Sequence, residues 1–104
     1  MREDSKILRY DVRDFNTFVG MDILKKEIVV SVRLPGEDDH LRWKLLNTKK
    51  GRARLIRKVK RQAVGKVLCC YEAGVCGYVL QQEMEKADVA CVVISPSLTP
   101  IKPG

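Results

Sequence analysis

The spacing of the apolar residues changes along the chain, and this change limits the possible folds more than any other feature. Residues 17–24 and 27–34 (TFVGMDIL and EIVVSVRL) are rich in apolar residues and alternate with a period of two, and residues 40–48 (HLRWKLLNT) alternate apolar with polar side chains. A period of two is typical of β-strands. Between residues 49 and 63 the apolar residues recur at helical spacing instead. This half of the chain therefore predicts three antiparallel strands followed by a helix.

The second half of the chain predicts two further strands and a second helix. Residues 67–71 (VLCCY) form a continuous apolar run, which is typical of a central strand covered on both faces. Residues 90–94 predict another buried strand, and residues 75–86 between them predict a helix. Thr48 is a suitable N-cap for the first helix and Gly65 a suitable end. We therefore predict an α/β fold, a mixed sheet in the order βββαβαβ with helices packed on the sheet faces.

The length of 104 residues fits a single domain. We expect a polar lead-in over residues 1–16, the folded domain over residues 17–95, and a proline-rich tail or the start of a linker over residues 96–104. The apolar runs fall far short of the roughly 20 residues of a membrane helix. The N-terminus mixes both charge signs and has no apolar stretch of the kind found in secretory signals. We therefore expect no membrane partner and a cytoplasmic location.

The basic residues are concentrated in one segment. The chain has 20 Lys and Arg against 13 Asp and Glu, a net charge of +7, and residues 42–66 hold 11 of the basic residues and no acid. Such clustering favours a polyanionic partner, nucleic acid before an anionic membrane, over the alternative of a merely solvated helix face. The candidate nucleic-acid-binding residues are expected on the exposed faces of the first predicted helix: Lys49, Lys50, Arg52, Arg54, Arg57, Lys58, Lys60 and Arg61.

The cysteines do not have the spacing of a zinc site. Structural zinc usually takes closely spaced pairs of Cys or His, whereas this chain has one histidine, His40, and cysteines at positions 69, 70, 76 and 91. Cys69 and Cys70 are adjacent on a predicted strand, so their side chains point to opposite faces. We therefore interpret the cysteines as reduced, mostly buried thiols.

Two carboxylates stand out by their context. Asp22 lies inside an apolar strand, and Glu72 follows the predicted central strand at its carboxyl end. A buried acid is costly unless it is paired or binds a metal, and ligands of α/β sheets gather at the carboxyl ends of strands. If the first and fourth strands are neighbours, both acids converge and could bind Mg²⁺ or Mn²⁺. The alternative is that Asp22 is half-exposed near a hairpin turn and that Glu72 caps the following helix.

Two segments resemble one family. The stretch VGMDILKKEIVVSVRL looks like the opening hairpin of the insertion-sequence transposases with a RuvC-like DEDD domain, the recombinases guided by a bridge RNA. The stretch from residue 69 onward resembles the same family more closely, and the resemblance covers about residues 17–104. Its most specific residues are Tyr71-Glu72-Ala73-Gly74, Cys76-Gly77-Tyr78, Ser95-Pro96-Ser97-Leu98 and Lys102-Pro103-Gly104.

This resemblance implies a fold, a metal and a reaction. It implies a ribonuclease H-like domain in which Asp22 and Glu72 are the first two metal-binding and catalytic carboxylates. Together with two later aspartates they would hold Mg²⁺ or Mn²⁺ and cleave a DNA phosphodiester during transposition. In the family those aspartates follow the Lys-Pro-Gly stretch with which this sequence ends, so we expect weak metal binding and little catalysis by this chain alone. The implied partners are DNA and a structured guide RNA.

Two other functions are compatible with the residues. A sugar- or acetate-kinase-like half-domain shares the strand order and an early aspartate, but it needs small residues after that aspartate, and Asp22 is followed by Ile-Leu-Lys-Lys. A catalytically inactive module of the same fold, which binds nucleic acid or mediates oligomerisation, is the second alternative. A homo-oligomer is compatible with either alternative and with the transposase function.

Overall fold

The computed structural model describes residues 10–36, 40–74 and 77–94, and these form a mixed sheet with two α-helices. The predicted α/β class is confirmed. The elements are a short 3-10 helix (Val12–Asp14), β1 (Thr17–Ile23), β2 (Glu27–Arg33), β3 (His40–Leu46), α1 (Lys49–Gln62), β4 (Val67–Glu72), α2 (Val79–Lys86) and β5 (Ala90–Ile94). The predicted tail lies outside the described residues, as do residues 1–9 of the predicted lead-in.

The five strands form one sheet in the order β3-β2-β1-β4-β5. β1, β2 and β3 pair antiparallel, whereas β4 is parallel to β1 and β5 is parallel to β4. The β1–β2 hairpin turns at Lys25 and Lys26, and Leu24 N donates to Glu27 O over 2.8 Å. Because β3 is antiparallel to β2, it runs in the same direction as β1, β4 and β5. The carboxyl ends of these four strands therefore meet at one edge of the sheet.

Both helices pack on the same face of the sheet. Their buried side chains, which include Leu55 of α1 and Leu80 of α2, join one core with Val19, Ile28 and Cys69 of the strands. The connections β3–α1–β4 and β4–α2–β5 cross the sheet in the same direction, and right-handed crossovers in one direction place their helices on one side.

The opposite face, which we call the open face, carries neither helix. In the pairing register it presents Phe18, Gly20, Cys70 and Val92 at its centre, and these residues are only partly buried. Leu68, also on this face, is buried with 9% exposure. In the part of the chain that the structure describes, residues 67–71 are therefore covered by helices on one face and only partly covered on the other, in contrast to the predicted coverage of both faces. The physical reason is the shared handedness of the two crossovers.

Helix α1 begins as the sequence predicts and ends earlier. The Thr48 side chain caps its N-terminus, where Oγ1 accepts from Gly51 N over 3.0 Å. The helix ends at Gln62 because Ala63 adopts an extended conformation. Gly65, the predicted end, lies instead in the turn into β4 with φ of +70°. The Thr17 hydroxyl, which bonds to the backbone of Val64 in both directions, fixes this turn against β1.

Helix α2 is shorter than its predicted span of residues 75–86. It begins at Val79 without a side-chain cap at Tyr78, and residues 75 and 76 lie outside the described chain. The buried Tyr71 hydroxyl fixes the helix start, since it donates to Gly77 O over 2.8 Å and accepts from Gln81 N over 3.1 Å. β4 and the approach to α2 are thus tied together directly.

We predict that Gly51→Ala destabilises the protein. A Cβ at position 51 would collide with the backbone carbonyl of Leu46, which cannot move without disturbing β3. Helix propensity favours Ala by about 1 kcal/mol, but overpacking against backbone costs more, so we expect a net loss of about 1–2 kcal/mol in urea unfolding. Gly20→Ala is the matched control, because no atom lies within 4 Å of its added Cβ. Equal stability of both variants would contradict the close packing at residue 51.

Candidate functional site

Asp22 and Glu72 lie side by side at the carboxyl edge of the sheet. The parallel pairing of β1 with β4 runs from Thr17 opposite Val67 to Met21 opposite Tyr71, and Asp22 and Glu72 occupy the next position on each strand. Neighbouring strands are about 4.8 Å apart, and side chains at matched positions point to the same face. Both carboxylates therefore project from the open face.

The exposure of the two acids differs from the sequence-based expectation. Asp22 and Glu72 are both exposed, so the argument from a costly buried acid is wrong for Asp22, and the alternative of an exposed Asp22 near the hairpin turn agrees with the structure. Position 22 points away from the helices because its neighbours in β1, Met21 and Ile23, point towards them. The alternative role of Glu72 as a helix cap is also wrong, since α2 begins at Val79 with Tyr78 at its N-cap position.

The two carboxylates provide hard oxygen donors in an accessible place. Mg²⁺ is commonly held by one or two protein carboxylates, with water and substrate phosphates completing its shell. The chemistry of this pair therefore fits a divalent cation as a partial ligand set. Within the described residues no group of three or more His, Cys, Asp or Glu side chains converges.

Two of the predicted nucleic-acid-binding residues donate hydrogen bonds to internal partners. Arg52 Nε and Nη2 donate to the two carboxylate oxygens of Glu83 on α2, over 2.7 and 3.2 Å, and the Arg52 side chain is only 15% exposed. Lys60 Nζ donates to Ala87 O over 2.9 Å at the end of α2. The expectation that all eight basic residues lie on exposed faces is thus wrong for Arg52. It lies at the border of the buried stripe of α1, where an arginine needs a partner.

Other basic side chains of α1 line a groove beside the edge strand β3. This groove of about 440 Å³ is lined by Lys44, Leu45, Arg54, Arg57, Lys58 and Arg61. A second groove of about 300 Å³ shares Lys44, Leu45 and Arg54 with it and continues to Lys50 and Thr48 near the start of the helix. We call the two together the basic groove. Its shape and charge suit a chain of phosphates.

Lys44 is part of the basic groove although it was not among the candidate residues. In the alternation of β3, Trp43 and Leu45 face the helices, so the Lys44 side chain belongs to the open face, where its Nζ lies 4.0 Å from Glu27 Oε1. Lys44 reaches the groove lining because β3 is the edge strand. Trp43 packs against the core, and Lys58 Nζ lies 4.7 Å from the centre of its ring. The indole therefore acts as a packing residue beneath Lys58 of the groove.

The cysteines behave as interior side chains. Cys69 and Cys91 face each other across β4 and β5 and are buried, and Cys70 is half-buried on the open face. Burial, followed by the neighbouring Cys70 and Glu85, raises the pKa of the Cys91 thiol to about 12, and burial raises that of Cys69 well above its usual range. A thiolate at either position is thus unfavourable. Cys76 lies outside the described residues.

The described helices do not include a segment long and apolar enough to cross a membrane.

Two curated proteins resemble this chain in sequence, and both are named as transposases. A putative transposase, y4qE, of Sinorhizobium fredii is 34% identical over 91 residues, which cover 84% of this chain and 23% of that protein. The transposase for insertion sequence element IS1533 of Leptospira borgpetersenii is 26% identical over 83 residues, which cover 80% of this chain and 24% of that protein. The chain thus spans about a quarter of the length of these relatives. It is related to insertion-sequence transposases.

No protein-family model matches the sequence. Among solved structures, the chain is similar to a member of the Ppx/GppA family from Aquifex aeolicus, with a TM-score of 0.47, 9% identity, and coverage of 81% of this chain and 36% of that one. The type II variant of the Ppx/GppA phosphatase from the same organism gives a TM-score of 0.45 and 8% identity over 78% and 36% of the two chains.

We predict that replacing Arg52 by glutamine lowers the stability of the protein, whereas replacing Arg57 by glutamine does not. Arg52→Gln leaves the half-buried Glu83 unpaired, so we expect a loss of about 1–3 kcal/mol in the free energy of unfolding. Arg57→Gln removes an exposed charge and should change stability by less than about 0.5 kcal/mol. Thermal and urea unfolding of both variants measure this difference. Similar stabilities for the two would contradict a structural role for the Arg52–Glu83 pair.

Proposed function

We propose that this chain is part of a transposase with a ribonuclease H-like, RuvC-like DEDD domain. In this proposal it binds DNA and contributes Asp22 and Glu72 to the metal site that cleaves a phosphodiester in DNA transposition. The observation that carries the proposal is the position of the two carboxylates, one step beyond the last paired residues of neighbouring parallel strands. Both acids are exposed at the edge where the carboxyl ends of four strands meet, which is where α/β sheets bind ligands.

The relatives support this proposal from a separate direction. Both are named as transposases, and each aligns with at least four-fifths of this chain. The resemblance of VGMDILKKEIVVSVRL and of the YEAG stretch to DEDD-type transposases assigns the same two acids, Asp22 and Glu72. The residues that sequence similarity indicates are thus the residues that the strand register brings together.

Asp22 and Glu72 would hold the metal ion, and their exposure would leave its remaining positions to water and to the substrate phosphate. When bound, Mg²⁺ or Mn²⁺ stabilises the charge that develops on phosphoryl oxygens and promotes deprotonation of the attacking nucleophile. In this proposal the chain supplies two anionic oxygen ligands at the edge of the sheet. It also binds the nucleic-acid backbone through its basic groove. The remaining ligands of a DEDD site would come from outside the described residues.

A nucleic-acid-binding module without catalysis is the second candidate. The basic groove favours it, because Arg54, Arg57 and Arg61 line it and none of its lining residues is an acid. Lys44, which also lines it, lies 4.0 Å from the Glu27 carboxylate. Such a groove binds phosphates without reading base sequence, and it would accept DNA or the structured guide RNA that the family resemblance implies. The same groove serves both candidates, and metal binding distinguishes them.

We predict that Mn²⁺ binds at the paired carboxylates. In NMR spectra of the ¹⁵N-labelled chain, paramagnetic broadening should centre on residues 22 and 72 and should be abolished by Asp22→Asn and by Glu72→Gln. The reason is that each substitution removes one of only two anionic ligands. Asp14→Asn, which removes an exposed carboxylate before β1, is the control and should leave the broadening unchanged. Broadening that is centred elsewhere, or that survives both substitutions, would contradict the metal site.

We predict that nucleic-acid binding depends on the basic groove and on salt. Each phosphate neutralised contributes about 0.7–0.9 to the slope of log K against log salt, so the variant Arg54→Gln/Arg57→Gln/Arg61→Gln should lower this slope by roughly 2. Fluorescence anisotropy of labelled 20-nucleotide DNA between 50 and 250 mM KCl measures it, with stability checked by thermal unfolding. A flat salt response of the unmodified chain would contradict binding through phosphates.

A further inference from the structure

Four lysines lie at the same edge of the sheet as the paired carboxylates. Lys25 and Lys26 form the tip of the β1–β2 hairpin, which begins where β1 ends. Lys49 and Lys50 form the first turn of α1, which begins where β3 ends. Since β1 and β3 run in the same direction, both lysine pairs lie at the edge that carries Asp22. We call these four residues the lysine edge.

Asn47 joins the two halves of the lysine edge. Its backbone N donates to Lys26 O over 2.9 Å, and its side-chain Nδ2 donates to Leu24 O over 2.8 Å. Its Oδ1 accepts from Arg52 Nη1 over 3.4 Å, and Arg52 is in turn held by Glu83 of α2. The hairpin tip is therefore fixed against the start of α1 through a residue two positions before Lys49.

The charge of the lysine edge is not balanced within the described part of the chain. None of its four ammonium groups forms an ion pair with a described residue. Lys49 and Lys50 also oppose the helix dipole, because the N-terminal turn of a helix favours acids and this turn has none. Local folding rules do not account for lysines at these positions, and departures of this kind are typical of functional surfaces.

The basic groove leads to the lysine edge. The part of the groove that continues towards the helix start is lined by Arg54, Lys44 and Lys50, so Lys50 belongs to both surfaces. From Arg61 to Lys50 the helix rises about 16 Å. The basic side chains of the groove lie along one helix beside one edge strand of the sheet, an arrangement that suits the backbone of a single nucleic-acid strand.

We propose that the lysine edge is a second phosphate-binding surface, which receives a single DNA strand from the basic groove and directs its backbone towards Asp22 and Glu72. The inference rests on the proposed function, because it assumes that the basic groove binds nucleic acid. It adds a path for the strand and assigns a role to four lysines, of which Lys25 and Lys26 lie outside the basic segment of the sequence.

The test is the binding of fluorescein-labelled single-stranded oligo(dT) of 20 nucleotides to the full chain. The variants Lys25→Gln/Lys26→Gln and Lys49→Gln/Lys50→Gln each remove two charges. We expect each to weaken binding about tenfold or more near 0.1 M KCl and to lower the salt slope by roughly 1.4, since each lost single-strand phosphate contact accounts for about 0.7. The matched control, Lys66→Gln/Lys86→Gln, removes two exposed charges at the opposite edge of the sheet. It should weaken binding by less than about threefold, because exposed charges more than a Debye length from the DNA are largely screened.

Chemical-shift changes of the backbone amides locate the bound DNA strand without the use of any variant. Addition of hexameric oligo(dT) to the ¹⁵N-labelled chain without metal should shift the amides of residues 22–26, 47–50 and 72. Shifts confined to the helix face at residues 54–61 would overturn the lysine edge, as would tighter binding of duplex DNA with the same dependence on the four lysines.

The outcomes separate this inference from the proposed function. If the groove variant loses binding while both lysine-edge variants behave like the control, the lysine edge is wrong and the basic groove stands. If neither the groove variant nor the lysine-edge variants lose binding, both proposals fail. Loss of binding in all three variants, with the control unchanged, supports the continuous path.

Discussion

The parallel pairing of β1 with β4 is the interaction on which the rest of the structure depends. It is fixed at its start by side-chain bonds across the turn, where Asn16 Oδ1 accepts from Lys66 N over 3.0 Å and the Thr17 hydroxyl bonds to Val64. A shift of one residue would exchange the two faces of a strand. It would turn either Asp22 or Glu72 into the core, so one register sets both the packing of the interior and the pairing of the acids.

The handedness of the crossovers divides the domain into a packed side and an accessible side. Both helices cover the face with Val19 and Cys69, and this leaves the face with Asp22 and Glu72 free of helices within the described residues. The basic residues are divided in a similar way. Arg52 is used to join α1 to α2, whereas Arg54 and its neighbours remain available to a ligand. One side of α1 therefore stabilises the fold through Arg52, and the other side carries the basic residues that are available for binding.

The sequence predicts the elements of this fold well, because period-two and helical spacing follow directly from which side chains must be buried. The strand at residues 27–33 and the Thr48 cap are examples, since each depends on local chemistry. The sequence leaves two alternatives for Asp22, buried or exposed, and the partial burial of Arg52 could not be predicted in this way. The outcomes at these two residues depend on which face the helices cover and on the partner that Glu83 offers, and these are properties of the assembled sheet rather than of any one segment.

The proposal that Asp22 and Glu72 bind one divalent cation between them can be tested directly in a crystal. The measurement is an anomalous difference map from crystals of the chain soaked in Mn²⁺. We expect a single strong peak within coordination distance, about 2.0–2.3 Å, of a carboxylate oxygen from each residue. A map with the two side chains on opposite faces of the sheet, or with a well-ordered ion bound only elsewhere, would contradict it.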